Sequence, residues 1–469
     1  MFEPYTGPWT FDEAAHLLRR TIFGPTKARI LQAVDDGMDA TLEAVLSPPP
    51  VVDPPIYYDF EDDPEAGIGE TWVDKNLDGD ITGIYFARAK TLWAWWFKQM
   101  NRNDQTITEK LTLFWHNHFV ISGAGDANMN WNYLNLLRDF GLGDFKELTK
   151  RITVDKSMLI FLNGGSNIVD EPNENFAREL LELFTVGKGE QIGPTDYSTY
   201  KEEDIVAIAR ALTGWFVWTG TNNPSEFKTW RHDTGDKQLS EHFGNQVIVN
   251  ADEEEYKNVI DIIFEKDEVA YHICRRLYIW FVHYDINDGI EQEIIAPMAQ
   301  VLLDNNYNIK PALEGLLKSQ HFFDICVRGS MIKHPLDFFF SSYNTFQVAP
   351  ATDILVEYEI WVAWYWQFQK QQMAIFEVPS VAGWKAYHQS PVFYRDWINS
   401  ASLALRKRMM TDIKWLTQNV SSDTKGYDFV NFIETLDNPL QVNDLIDEVC
   451  QLFFSRPMIQ EQKDFFKED

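Results

Sequence analysis

The sequence predicts a mainly α protein: one large multi-helix globular body with a small loop or hairpin insertion near 215–250. Three observations carry that prediction. Apolar residues recur at helical spacing along most of the chain, as in Phe11–Arg20, Ile84–Met100 and Leu355–Phe376. Helix stop signals follow such runs, with Gly37, Gly187 and Gly214 each just past a periodic stretch. From Trp215 to Val249 the pattern changes, and Gly, Asn, Thr and Asp punctuate short aromatic stretches, as turns and hairpins require. No repeat of fixed period is present, so a solenoid is disfavoured.

The elements follow in order. Asp12 is the expected cap of the first helix, and Thr26 opens the second. The prolines from Pro48 to Pro55 and the acidic stretch from Asp59 to Asp80 make 48–80 an extended acidic linker or loop. Thr106-Ile-Thr-Glu109 has the capping-box spacing and heads the helix carrying Phe114-Trp115-His116-Asn117-His118-Phe119. Helices are predicted near 130–152, over Asn173–Val186 and over Glu202–Leu212. Beyond the insertion the helical pattern resumes at Asp252–Phe264 and continues to Leu440–Phe454. The whole chain, 1–469, is read as one helical unit, with any sheet confined to roughly 215–250.

Composition narrows the function classes. The chain has 469 residues and a net charge of −30. Phosphate binding needs a basic surface, so nucleic acid is an unfavourable partner. The three cysteines, Cys274, Cys326 and Cys450, lie far apart and match no zinc or disulfide framework. No run of about 18 apolar residues exists, and no membrane span is expected. Met1-Phe-Glu-Pro lacks the basic and apolar stretches of an export signal. Aromatic residues make up 14%, with 17 Trp, enough to fill a core and leave some for a binding surface.

Several stretches together resemble one bacterial family. They are His16-Leu-Leu-Arg19-Arg20-Thr-Ile-Phe23-Gly24-Pro25, Phe114–Phe119, Asn173–Leu183, Ala209-Arg210-Ala211-Leu212-Thr213-Gly214-Trp215, His232-Asp233-Thr-Gly235-Asp-Lys237 and Val381-Ala382-Gly383-Trp384. Their order is that of the family called domain of unknown function 1800, and they span nearly the whole chain. The resemblance supplies no activity to transfer. It implies an exported setting, periplasmic or extracellular, because members often bear export signals, and the N-terminus here departs from that pattern. Members also often occur beside a second family that looks like a sulfatase or phosphatase relative.

Three constellations could carry chemistry. His116 and His118 lie about 200° apart on a helix, so only one can enter a given site. Glu179 and Glu182 share a face of the 173–186 helix, with Glu174, Arg178 and Glu182 at i, i+4 and i+8. His232 beside Asp233, with Lys237 near, lies in the insertion, where loops commonly place functional groups. The expectation is that His116, Arg178, Glu179, Glu182 and His232 converge on one polar pocket, with a Glu satisfying the buried His116 and a transition metal as a candidate cofactor. The di-iron Glu-x-x-His signature is absent. Separately, Asp74-Lys-Asn76-Leu-Asp78-Gly79-Asp80 matches the front of an EF-hand loop. Asp74, Asn76 and Asp78 would bind Ca²⁺ through side chains and Asp80 through its carbonyl, although Tyr85 stands where a bidentate Glu belongs.

Two functions compete. One is an exported helical enzyme using the His/Glu pocket for metal-assisted hydrolysis or oxidation. The other is an exported acidic binding or assembly protein that recognises a polysaccharide or protein partner through its aromatic surface.

Overall fold

The structure is a computed structural model and describes residues 1–102, 105–123, 126–219, 224–420 and 429–468. Residues 220–223 of the predicted insertion thus lie outside the described residues. The chain is mainly α. In order the helices are α1 (Phe11–Thr21), α2 (Lys27–Asp36), α3 (Met38–Val45), α4 (Ile84–Arg102), α5 (Thr108–His118), α6 (Ala127–Phe140), α7 (Phe145–Thr153), α8 (Lys156–Phe161), α9 (Glu174–Glu179) and α10 (Glu202–Ala211). There follow α11 (Glu255–Ile263), α12 (Asp267–Phe281), α13 (Asp288–Ile290), α14 (Ala296–Asp304), α15 (Ile309–Lys318), α16 (Pro335–Thr345), α17 (Ile354–Lys370), α18 (Ser400–Val420), α19 (Phe429–Glu434), α20 (Val442–Phe453) and α21 (Gln460–Glu468). No helix among the described residues is long and apolar enough to cross a membrane.

Strands are two or three residues long and pair as antiparallel hairpins: β1 (Gln191–Gly193) with β2 (Asp196–Tyr197), β3 (Trp215–Phe216) with β4 (Glu226–Phe227), and β5 (Lys237–Gln238) with β6 (Val247–Ile248). The last two fall in the segment where turn residues predict them. The first lies before α10, so sheet is not confined to 215–250. Gly189 and Pro194 beside β1 carried that signal.

Buried hydrophobic residues form one cluster running from Ala14 to Leu452. Its aromatic centre lies between α4, α16 and α17. Trp93 stacks on Tyr365 with centroids 3.7 Å apart, and Phe339 meets Trp364 at 4.2 Å. Trp95, Trp96, Trp115, Trp361, Trp364 and Trp384 are all fully buried, so much of the Trp content is core.

Two caps differ from expectation. The α1 cap is Thr10, which forms a capping box with Glu13, while Asp12 sits in the first turn. No box forms at Thr106–Glu109. Glu109 turns inward instead, accepting from Trp96 Nε1 at 2.9 Å and pairing with Arg138 at 2.9 Å. A buried cation and an indole donor outcompete a helix-end amide for the carboxylate. The predicted helix 173–186 is also interrupted. After α9 it widens into a π turn at Leu180–Phe184, and Thr185 Oγ1 donates to Leu180 O at 2.6 Å.

Residues 48–80 carry no helix, yet they are anchored. Arg88 of α4 reaches Asp63 at 2.6 Å, both side chains are buried, and Tyr57 OH donates to the same carboxylate at 2.7 Å.

Candidate functional site

His116 is a satisfied core residue. Its Nε2 accepts from the Phe376 amide at 3.1 Å, so Nδ1 carries the proton and donates to Tyr133 OH at 3.0 Å, which donates on to Phe119 O at 2.7 Å. Burial holds its pKa down to about 3. The expected carboxylate partner is replaced by a hydroxyl and a backbone amide. Its neighbours work the same way. Asn117 Oδ1 accepts from Trp384 N at 2.8 Å, and His118 Nε2 donates to Phe184 O at 3.1 Å. A side chain on Gly383 (φ +94°) would clash with Asn117 Oδ1. The His116-Asn117-His118 run therefore clamps three distant backbones, at 376, 384 and 184.

Arg178, Glu179 and Glu182 do not reach His116 through any hydrogen bond. Arg178 makes a fork to Glu202 of α10, both bonds at 2.8 Å, and flanks Glu174 at 3.2 Å and Glu182 at 3.7 Å. Glu182 also accepts from Tyr200 OH at 2.5 Å and from Lys188 at 3.2 Å. Glu179 is half-buried, and burial first, then the Glu182 charge, raises its pKa. This is the expected i, i+4 ladder, extended across to α10.

His232 belongs to a third place. Its Nε2 lies 3.0 Å from Glu255 Oε2 and its Nδ1 is 2.9 Å from Thr213 O. Lys237 reaches the other Glu255 oxygen at 2.5 Å, and all three side chains are fully buried. Asp233 accepts a fork from Arg210 at 2.7 and 3.2 Å. The predicted five-residue convergence is thus divided into three sites, each with its own partners. Glu255 went unmarked because it sits among Asp252, Glu253 and Glu254, a run that reads as a solvated helix start.

The Asp74–Asp80 loop does not gather its oxygens. Asp74, Asn76, Asp78 and Asp80 are exposed. The carbonyls of Lys75 and Asn76 accept from Arg88 at 3.0 and 2.8 Å. Among the described residues no three His, Cys, Asp or Glu side chains are grouped so as to hold a metal ion.

A site not anticipated from the sequence lies where α16, α19 and α20 meet. There an apolar cavity of about 690 Å³ is walled by Phe338, Phe346, Phe432, Leu445, Val449 and Phe453, with Arg19, Lys333, Ser341, Ser342 and Thr345 among its polar residues. Lys333 Nζ donates to Ser341 Oγ at 2.7 Å, and Ser341 Oγ donates to Asp337 Oδ1 at 3.2 Å. Asp337 is itself paired with Lys110 of α5 at 2.9 Å. The sequence places Arg19 and Arg20 just before the Phe23-Gly24-Pro25 turn, where ion pairs to carboxylates are the simplest expectation for two arginines. They cap helix ends instead: Arg19 donates to the carbonyls of Gln451, Leu452 and Phe454 at the end of α20, and Arg20 to those of Trp280 and Phe281 at the end of α12. Helix C-termini carry about half a negative charge, which favours an Arg there.

Cations therefore crowd one carboxylate. Burial lowers the Lys333 pKa to about 8; Asp337 opposes this, and the charges of Lys110, Arg19 and Arg20 add to it. Burial would raise the Asp337 pKa, but Lys110, Lys333 and His334 outweigh it and hold the carboxyl well below its ordinary range. Lys333, Asp337 and Ser341 recur at four-residue spacing, which is the signal the sequence offered for this site.

The fold and cavity define a large α-helical protein in which an apolar pocket carries Arg19 and Lys333 in its wall. The chain belongs to the family described as Protein of unknown function (DUF1800), matched over residues 16–468. No curated protein and no solved structure matches it.

Proposed function

We propose that this protein binds an amphiphile, an acyl chain with an anionic or carbonyl head, in the cavity between α16, α19 and α20. The observation that supports the reading is the placement of Lys333, bonded to a hydroxyl rather than a carboxylate, on the wall of a mostly apolar space. The cavity volume of about 690 Å³ falls within the roughly 300–1,000 Å³ of small-molecule sites. A net charge of −30 repels anions at the surface, so the cations lining the cavity are what would select an acidic head.

The test is a series of straight-chain carboxylates and matching alcohols followed by calorimetry. Each buried methylene contributes about 0.8 kcal/mol, so affinity is expected to rise roughly fourfold per carbon until the cavity is full. Lys333→Met is expected to weaken carboxylates at least about tenfold, which is about 1.4 kcal/mol, and to leave the alcohols unchanged. Absence of binding at every chain length, or equal loss for acids and alcohols, rejects the reading.

A second reading rests on a separate observation. Trp230 is 77% exposed and Trp218 48%. Arg231 lies over both Trp230 and Phe216, at 5.7 and 5.2 Å. Such a shelf suits stacking on sugar rings, and the exported setting implied by the family would bring it to polysaccharide. Retardation in polysaccharide-containing native gels, abolished by Trp230→Ala, is the expected result; unaltered mobility of the wild type removes this reading.

A further inference from the structure

We propose that Ser341 is an acyl-accepting nucleophile and Lys333 its general base, so that the cavity hydrolyses long-chain acyl esters. The inference rests on the amphiphile reading and adds chemistry to it.

The geometry is that of a nucleophile held against a base. Ser341 Oγ and Lys333 Nζ are 2.7 Å apart, and both residues line the cavity. With Lys333 protonated, the ammonium donates to Oγ and the hydroxyl donates to Asp337. Loss of the lysine proton leaves a lone pair at the same 2.7 Å, toward which the hydroxyl proton can turn. Burial and neighbouring cations bring that deprotonation to about pH 8, where an ordinary lysine stays charged. Gly24 fixes the nucleophile's backbone: a Cβ there would lie 2.5 Å from Ser341 Cα, so the α1–α2 turn sits directly on α16.

Neutral Lys333 takes the Ser341 hydroxyl proton as Oγ attacks the ester carbonyl carbon. The Oγ–C bond forms, and the carbonyl electron pair moves to oxygen. The positive field of Arg19 and Arg20, which Lys333 feels, favours that oxyanion. Collapse breaks the bond to the alcohol oxygen, which leaves with the proton from Lys333. Water then gives a proton to Lys333 and attacks the acyl carbon. The acyl–Oγ bond breaks, Ser341 recovers its proton, and the free acid remains on the cationic end of the cavity.

The test uses the full chain with a long-chain alkyl fluorophosphonate and with p-nitrophenyl esters of increasing acyl length, adducts being located by peptide mass spectrometry. A single adduct on Ser341 is expected, with a labelling rate that rises as Lys333 loses its proton. Ser341→Ala is expected to abolish labelling and ester turnover while still binding carboxylates. Lys333→Arg separates charge from basicity, because a guanidinium does not deprotonate. It should keep carboxylate affinity and lose labelling by about 10²–10⁴-fold, the usual contribution of a general base. If carboxylates bind but Ser341 stays unlabelled, or if Lys333→Arg labels at the wild-type rate, the nucleophile assignment is overturned and the amphiphile reading stands. If nothing binds, both fall.

Discussion

Asp337→Asn is expected to destabilise the protein by about 3–5 kcal/mol, the usual cost of removing one partner of a buried ion pair. The amide fills the same volume, so no cavity contributes. What is lost is the counter-charge to Lys110, bonded at 2.9 Å, and to Lys333, Arg20 and Arg406, which also feel it. Denaturant unfolding of the two proteins measures the difference. Its pH dependence has a definite sign. The folded carboxyl titrates below its ordinary value of 3.8, so its contribution is fully present above that pH and is lost as pH falls through the depressed folded value. As pH falls from 6 the gap between wild type and variant should therefore hold, and close only in strong acid. The double variant Asp337→Asn/Lys110→Met, which removes both charges, is expected to regain much of the loss. A single variant within about 0.5 kcal/mol of wild type, the range of ordinary surface substitutions, would show that the cluster is solvated rather than buried.

Glu255→Gln carries an effect of similar size, about 3–5 kcal/mol, because its carboxylate holds two fully buried partners, His232 at 3.0 Å and Lys237 at 2.5 Å. Both nitrogens of His232 face oxygen acceptors, a geometry that only the imidazolium satisfies as donor on both sides. Burial lowers the His232 pKa, but the bonds to Glu255 and to Thr213 O outweigh it, and the net shift is upward from 6.5. A raised histidine stabilises fully below the unfolded value and loses that contribution as pH rises through the folded one. The difference between wild type and Glu255→Gln should accordingly be larger at pH 6 than at pH 9, leaving at high pH the part due to Lys237. A difference that grows with pH would contradict the protonation state assigned here.

The helical architecture was legible because it depends on local periodicity and on caps. Thr26 accepts from the Arg29 amide and Gly37 takes φ +83° where the second helix ends. The short hairpins near 215–250 followed from turn residues alone. The candidate site was not legible in the same way. His116, Arg178, Glu179, Glu182 and His232 are the residue types that chemistry uses, but their partners come from segments far along the chain. Phe376 satisfies His116, Glu202 takes Arg178, and Glu255 takes His232. The family motifs marked the residues that clamp the backbone, and their polar atoms serve packing.

The sequence by itself determined the class of the fold, the position of most helices, the short hairpins near 215–250, the absence of a long apolar span and the family. These are properties of neighbouring residues, set by side-chain period, by proline and glycine geometry, and by composition. Tertiary structure decided which charges are buried and what they face. Lys333 and Ser341 share with Asp337 only a four-residue spacing that any exposed helix face can show, and Arg19 could have paired with any of 71 acidic residues. Packing α16 against the α1–α2 turn and α20 placed them at one cavity, with two arginines bonded to helix carbonyls and Asp337 facing Lys110 and Lys333. The dielectric and the contacts that shift a pKa or select a ligand arise only when distant segments exclude water together.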